Sequence, residues 1–159
     1  MTEPIDMKRV TPAEQLVGED ELDTKLLRDM MDEAEQYLRS FRWCPPIAEK
    51  FFGCGVGGVV AVFLFKLAAP VGGHDQWLWV VVGDVPSAYM VTDNAPDPGS
   101  ALNCYCELMG DWSHAVLNNL PIEEFFPVAA PATPANATSL ARRIAFIRKN
   151  ILLERERDG

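Results

Sequence analysis

The stretch GCGVGGVVAVFLFK, residues 53–66, decides how the rest of the chain is interpreted. Gly53, Gly55 and Gly58 have the Gly-x-Gly-x-x-Gly spacing with which dinucleotide-binding proteins cradle a pyrophosphate. Such a loop leaves a strand and opens a helix, so that backbone amides and the helix dipole face the phosphate. Here valines and phenylalanines follow the glycines, which predicts a strand instead. We therefore expect structural glycines and no cofactor.

Three strands are predicted around this stretch. They cover residues 56–67, 76–83 (QWLWVVVG) and 87–93 (SAYMVTD). Short connections between them favour an antiparallel meander. Both alternating faces of the first strand are apolar, with Val60, Val62 and Leu64 on one face and Ala61, Phe63 and Phe65 on the other. A sheet of this kind needs cover on both sides, from helices or from a partner chain.

Three helices are predicted from apolar residues at three-and-four spacing. The first spans about residues 24–41, before Pro45 and Pro46, and the second spans about residues 99–118. The third begins with Thr133 as N-cap and Pro134 at its first position.

Together these elements predict an α+β domain. It has an N-terminal helix, a three-stranded antiparallel meander and two C-terminal helices packed on the sheet. We expect residues 23–155 to form this single domain. Residues 1–22 are rich in acids and turn formers, and we expect them to be loosely ordered.

Composition limits the partners and the location of the protein. The net charge of −9 argues against nucleic acid, because phosphate binding needs a clustered basic surface. The longest apolar run, residues 56–65, is half of the roughly 20 residues that a membrane-spanning helix needs. Four cysteines and a start without signal-peptide features predict a cytoplasmic protein. We expect neither nucleic acid nor membrane as a partner.

A polar row on the second predicted helix contains the residue types of a metal or acid–base site. Cys104, Glu107, Asp111 and His114 fall on one helical face. That face lies opposite the apolar stripe, so we interpret it as the solvated side and expect no metal. The cysteines lack Cys-x-x-Cys spacing, and two histidines leave few ways to form a catalytic set. We predict no catalytic residue, and whether the protein is an enzyme stays open.

The stretch QWLWVVVGDVPSAYMVTDNAP, residues 76–96, holds the side chains with which a ligand could be bound. Trp77, Asp84, Tyr89 and Asp93 could line one pocket. In the competing interpretation the tryptophan belongs to the core, and the aspartates accept local backbone bonds in turns. Trp77 and Trp79 form a pair in this stretch, and paired tryptophans are also frequent anchors at protein interfaces.

This stretch resembles a family of small bacterial proteins of unknown function, together with YCELMGDWSHAV (105–116) and FPVAAPATPANATSLARRIAFIRKNIL (126–152). The likeness covers roughly residues 37–153. It implies a bacterial, cytoplasmic protein and supplies no active-site residues.

Two functions follow as hypotheses. The leading one is a non-enzymatic protein-interaction domain, immunity-like or regulatory, because the chain is acidic and lacks an assembled catalytic set. The alternative is a small-ligand-binding or enzymatic domain with a site near Trp77, Asp84, Tyr89 and Asp93. We also expect a homodimer besides a protein partner of unknown identity, since the predicted helices leave little material to cover both sheet faces.

Overall fold

The computed structural model describes residues 5–71, 75–93, 95–123, 125, 128 and 130–152, without the side chains of Val71 and Asp75. Over these residues the chain is α+β, with a five-stranded antiparallel sheet and three α-helices. The predicted fold class is therefore confirmed. The chain divides into two compact units, residues 1–101 and 102–159, which are described one after the other. The single domain expected over residues 23–155 stays a prediction.

The sheet is a meander of strands that neighbour one another in sequence order. Its strands are β1 (Thr11–Pro12), β2 (Ile47–Val56), β3 (Val60–Val71), β4 (Asp75–Gly83) and β5 (Ala88–Val91). The antiparallel meander is confirmed, whereas the number of three strands is wrong because β1 and β2 were missed. The sequence of β2, IAEKFFGCGV, contains charged residues and glycines that strands disfavour, and β1 is two residues long with a proline.

The glycines of the opening stretch lie in β2 and in its turn into β3. Residues 57–59 connect the two strands, and the Val59 N–H donates to the Val56 carbonyl at 3.0 Å. Gly58 has a φ of +80°, which a residue with a Cβ rarely adopts. The first predicted strand therefore begins at residue 60 rather than 56. The order is strand, turn, strand, which differs from the strand-to-helix loop of a pyrophosphate site.

Helix α1 (Glu21–Arg39) packs against one face of the sheet. Asp20 is its N-cap, and the Asp20 carboxylate accepts from the Asp23 N–H at 2.8 Å. The predicted apolar stripe is confirmed as part of one core cluster, whose members include Leu27, Met30, Met31, Ala34 and Leu38 of α1 and Ala61, Phe63, Phe65, Leu78 and Val80 of the sheet.

The opposite face of the sheet is buried as well. Val62 and Leu64 of β3 and Trp79 of β4 are inaccessible to solvent, so the alternation predicted for these strands is confirmed. The Trp79 indole N–H donates to the Ala95 carbonyl at 2.8 Å. Trp79 is thus a core residue with a satisfied polar group.

The N-terminal stretch, for which we expected loose order, contains defined elements within residues 5–22. Two 3₁₀ turns, at residues 7–9 and 13–15, flank β1. Leu16 is fully buried in the α1 core, and its carbonyl accepts from the Arg28 guanidinium at 3.0 Å. Composition gave no sign of this order, because a single buried leucine in a polar stretch produces no periodicity.

Helix α2 (Pro98–Leu117) continues from the first unit into the second, where α3 (Pro134–Ile147) and a π-helical turn (Arg148–Leu152) follow it. Within the second unit, the Arg148 guanidinium donates to the Asn103 amide oxygen at 3.1 Å. The predicted start of α3 is confirmed, since Thr133 is its N-cap and Pro134 its first residue. None of the helices described is both long and apolar enough to cross a bilayer.

Candidate functional site

The four residues predicted as a binding site do not line one pocket. In the β3–β4 register Trp77 pairs with Lys66, and Tyr89 pairs with Val80 in the β4–β5 register. Side chains alternate along a strand, so Trp77 and Tyr89 lie on opposite faces of the sheet. Tyr89 shares its face with α1, whereas Trp77 shares the other face with Trp79.

Trp77 is held by neighbours on its own face. Its ring centroid lies 5.9 Å from that of Phe51, and the Lys66 ammonium lies 5.5 Å from it. This cation–π arrangement and the half-buried state of Trp77 fit a packing role at the sheet surface.

The two aspartates are exposed and lie towards opposite ends of β4. Asp84 follows the last residue of β4, and its N–H donates to the Val59 carbonyl at 2.9 Å. Asp93 comes after β5, whose Val91 pairs with Leu78 near the start of β4. The sheet therefore separates these two carboxylates by most of a strand.

Tyr89 instead belongs to a group of half-exposed aromatic rings, which we call the aromatic cluster: Tyr37, Phe41, Trp43 and Tyr89. The Tyr89 ring centroid lies 5.0 Å from that of Trp43, 5.3 Å from that of Phe41 and 6.3 Å from that of Tyr37. Phe41 also contacts Tyr37 edge-on and stacks on Trp43, each at 5.2 Å. Each such pair contributes about 0.5–1.5 kcal/mol beyond area burial, so the rings hold one another in place.

Three parts of the fold bring these rings together. Tyr37 lies in the last turn of α1, Phe41 and Trp43 lie in the turn that follows it, and Tyr89 comes from β5. Backbone bonds fix the turn: the Phe41 N–H donates to the Leu38 carbonyl at 3.1 Å, and the Cys44 N–H donates to the Phe41 carbonyl at 3.2 Å. Pro45 and Pro46 then restrict the chain before β2. The cluster is consequently preorganised by its backbone.

The aromatic cluster exposes apolar surface together with polar groups. The side chain of Trp43 is 37% exposed, and the other three rings are half-buried. The Trp43 indole N–H and the hydroxyls of Tyr37 and Tyr89 have no hydrogen-bond partner among the residues described. Burial, and secondarily the nearby Tyr89, raises the pKa of the Tyr37 hydroxyl. That hydroxyl keeps its proton at neutral pH and can donate a hydrogen bond to a ligand.

The charged side chains of this turn are basic. Arg42 lies between Phe41 and Trp43 and is exposed, and Arg39 ends α1. Arg39 pairs with Glu35 at 3.1 Å, whereas Arg42 has no ion-pair partner in the part of the chain that the structure describes. In a chain with a net charge of −9, an unpaired cationic residue is therefore next in sequence to two members of the aromatic cluster.

No protein-family model, curated protein or solved structure matches this chain.

An open cleft lies at the other edge of the sheet, beside β2. Its volume is about 840 Å³, and its walls come from α1, β2 and the stretch after β1. Within the cleft, the Glu35 carboxylate forms two ion pairs, one with Lys50 of β2 at 2.9 Å and one with Arg39 of α1 at 3.1 Å. The cleft is lined by four acidic and three basic side chains, so it offers a ligand a net charge of only −1.

The polar row on α2 is solvated, as predicted. Glu107, Asp111 and His114 are exposed, while Tyr105, Met109 and Trp112 on the stripe are buried. Within the residues that the structure describes, no three histidine, cysteine or acidic side chains come close enough to hold a metal ion. His74, the other histidine of the chain, lies outside the described residues.

None of the four cysteines, all of which lie among the described residues, forms a disulfide. Burial raises the pKa of Cys106 to about 11, since the neighbouring Arg148 only partly opposes the loss of solvation. The pKa values of Cys44 and Cys104 are also raised, mainly by burial. A thiol that stays protonated is a poor nucleophile and a poor metal ligand at neutral pH.

The sequence analysis identified Tyr89 and missed its three aromatic neighbours. Tyr37 and Phe41 lie within the first predicted helix, over about residues 24–41, and no binding role was predicted for them or for Trp43. One signal was present: the helical stripe ends in Phe41-Arg42-Trp43, which places two large aromatics around an arginine just where a turn must follow. Aromatic and arginine residues are the types enriched at protein interfaces.

Proposed function

We propose that this protein is a non-enzymatic protein-interaction domain, regulatory or immunity-like, that binds its partner through the aromatic cluster. The observation that carries the proposal is a set of packed, half-exposed rings with three polar groups that lack partners. Tryptophan, tyrosine and arginine dominate the binding energy of interfaces, because they combine a large apolar area with hydrogen-bonding capacity.

The position of the cluster supports the same conclusion. Val91 follows Tyr89 on the same face of β5 and is 42% exposed, so apolar surface continues along this strand. β5 is the last strand of the sheet, and no other strand among the described residues pairs with its outer edge. Exposed aromatic surface beside a sheet edge is costly for a protein to leave in water, and it commonly marks a contact site.

The alternative, a ligand or enzyme site near Trp77, Asp84, Tyr89 and Asp93, has less support, because the sheet separates these residues. A bacterial origin and a cytoplasmic location remain proposals that rest on the sequence resemblance and the cysteine content.

The decisive experiment compares the proteins captured from a lysate of the native cell by three immobilised forms of the chain. These are the wild type, Trp43→Ala and Phe146→Ala, which removes a 51% exposed aromatic ring of α3. We expect one or more proteins, identified by mass spectrometry, to be retained by the wild type and by Phe146→Ala and lost with Trp43→Ala. Equal retention by Trp43→Ala would contradict the proposal.

A further inference from the structure

We propose that the partner segment is proline-rich, in polyproline II conformation, and carries carboxylates beside its prolines. This inference rests on the proposed function and specifies the chemistry of the segment that the aromatic cluster binds.

The first argument concerns the shape of the aromatic surface. Neighbouring rings of the cluster meet at angles between 24° and 89°, so they do not form one flat plate. Rings set at an angle leave grooves between them, into which the pyrrolidine rings of a polyproline II helix can pack. Such a helix is preformed in solution, so binding costs it little conformational entropy.

The second argument concerns hydrogen bonding. The Trp43 indole N–H and the hydroxyls of Tyr37 and Tyr89 are donors without partners among the described residues. A polyproline II segment has carbonyl groups with no internal hydrogen bonds, and its prolines have no N–H groups that need acceptors. An extended segment without proline would add an N–H group at every residue, and among the side chains of the cluster only the two tyrosine hydroxyls could accept them.

The third argument concerns charge. Arg42 is exposed and lies between Phe41 and Trp43 in sequence, and Glu35 is already paired with Arg39 and Lys50. A cationic ligand would meet an unpaired arginine rather than a free carboxylate. A carboxylate beside the prolines would instead form a charge-assisted bond with Arg42.

The test is a titration of ¹⁵N-labelled full-length protein with synthetic peptides, followed by NMR. The peptides are a decaproline flanked by glutamates, the same decaproline flanked by lysines, and a glycine–serine peptide flanked by glutamates. We expect the first peptide to shift the Trp43 indole N–H signal and to leave that of Trp79 in place, since Trp79 is buried and bonded to Ala95.

Variants then assign the contacts. Trp43→Ala should weaken binding of the glutamate-flanked decaproline about tenfold or more, and Tyr89→Phe, which removes only a hydroxyl, roughly threefold. Arg42→Glu should weaken it by about tenfold and strengthen binding of the lysine-flanked peptide. Phe146→Ala should bind like the wild type. Circular dichroism establishes that each variant is folded.

Two outcomes overturn the inference: an unmoved Trp43 signal at millimolar peptide, or equal binding of the glycine–serine peptide. The proposed function fails separately. If Trp43→Ala abolishes capture of the cellular partner while no decaproline binds, the partner segment has another chemistry and the aromatic cluster is still the contact site. If capture also persists in Trp43→Ala, both conclusions are wrong.

Discussion

The carboxylate of Asp23, in the first turn of α1, accepts the backbone N–H of Gly57, in the turn between β2 and β3, at 2.8 Å. Its second oxygen accepts the Glu19 N–H at 2.9 Å. A protein carboxylate therefore already occupies an amide of the glycine-rich stretch, which a pyrophosphate would have to contact. The same bonds connect the start of α1 to the β2–β3 hairpin.

We predict that Asp23→Ala lowers the free energy of unfolding by about 1–3 kcal/mol, because two backbone amides lose a charged acceptor. Asp29→Ala is the matched control, since Asp29 is an exposed acid on the same helix. We expect it to change stability by less than about 0.5 kcal/mol. Urea denaturation measures both variants, and equal effects would mean that the Asp23–Gly57 contact contributes nothing.

Two glycine-to-alanine substitutions should have opposite effects. A Cβ at Gly55 would lie 2.6 Å from the Cα of Ala61 on the paired strand, so Gly55→Ala should destabilise the fold by more than about 1 kcal/mol. A Cβ at Gly110 in α2 meets nothing within 4 Å. Gly110→Ala should therefore stabilise the protein by about 0.5–1 kcal/mol through helix propensity. Thermal melts that shift in the same direction would contradict this contrast.

A pair of aromatic truncations tests the phase of the C-terminal helices. Trp112 of α2 is 3% exposed, and we expect Trp112→Ala to cost roughly 3–5 kcal/mol. Phe146→Ala, at an exposed position of α3, should cost less than about 1 kcal/mol. A loss below about 1 kcal/mol for Trp112→Ala in denaturant melts would place that side chain at the surface.

Cysteine labelling tests the protonation state of Cys106. The thiolate is the reactive form, so with a pKa of about 11 the buried Cys106 should resist iodoacetamide at pH 8 in the native protein. Half-buried Cys44 and Cys104 should react first, and all four thiols should react in guanidinium.

The contribution of Cys106 to the free energy of unfolding should change with pH in one direction only. Because the folded pKa of Cys106 is raised, its contribution to stability is complete below about pH 8.5, the ordinary thiol pKa, and is lost as pH rises towards 11. Comparing the pH profiles of the wild type and Cys106→Ala isolates this contribution. Complete labelling of native Cys106 at pH 8, read by peptide mass spectrometry, would show that this thiol is neither buried nor raised in pKa.

The homodimer stays a prediction, and its interface would have to be a surface other than the apolar sheet face from which it was predicted. Side chains on both faces of β3 are buried within one chain, so an apolar sheet face no longer provides the reason for association. Exposed apolar side chains, among them Leu117, Leu120 and Phe146, are what a dimer interface would bury. Light scattering at tens of micromolar protein should give twice 17.6 kDa, and a mass near 17.6 kDa would exclude the dimer.

The sequence predicted those elements in which local chemistry and burial agree. Thr133-Pro134 begins α3 because the N-cap hydroxyl and the fixed φ of proline act within one turn. The strand QWLWVVVG was predicted because β-branched and aromatic residues fill it. β2 escaped prediction because Gly53 and Gly55 are needed there for close packing, which only the paired strand reveals: a Cβ on Gly55 would meet Ala61.

The candidate site was predictable only at one residue, for a geometrical reason. Tyr89 and Trp77 lie on the same stretch of sequence, and only the register of β4 with β5 shows that they face opposite ways. Phe41 and Trp43, in the turn after α1, reach Tyr89 of β5 at ring-centroid distances of 5.3 and 5.0 Å. That contact joins residues more than forty positions apart, and no local pattern reports it.

The order of the strands also determines how the chain can assemble. β2 and β3 are joined by three residues, so their pairing closes a short loop and costs little entropy. β1, in contrast, pairs with β2 only after the chain has passed through the whole of α1. We expect the hairpins to form early and β1 to dock late, since long loops close at greater entropic cost. In hydrogen exchange, the Thr11 amide should therefore lose protection while the central strands are still closed; Pro12, the other residue of β1, has no N–H.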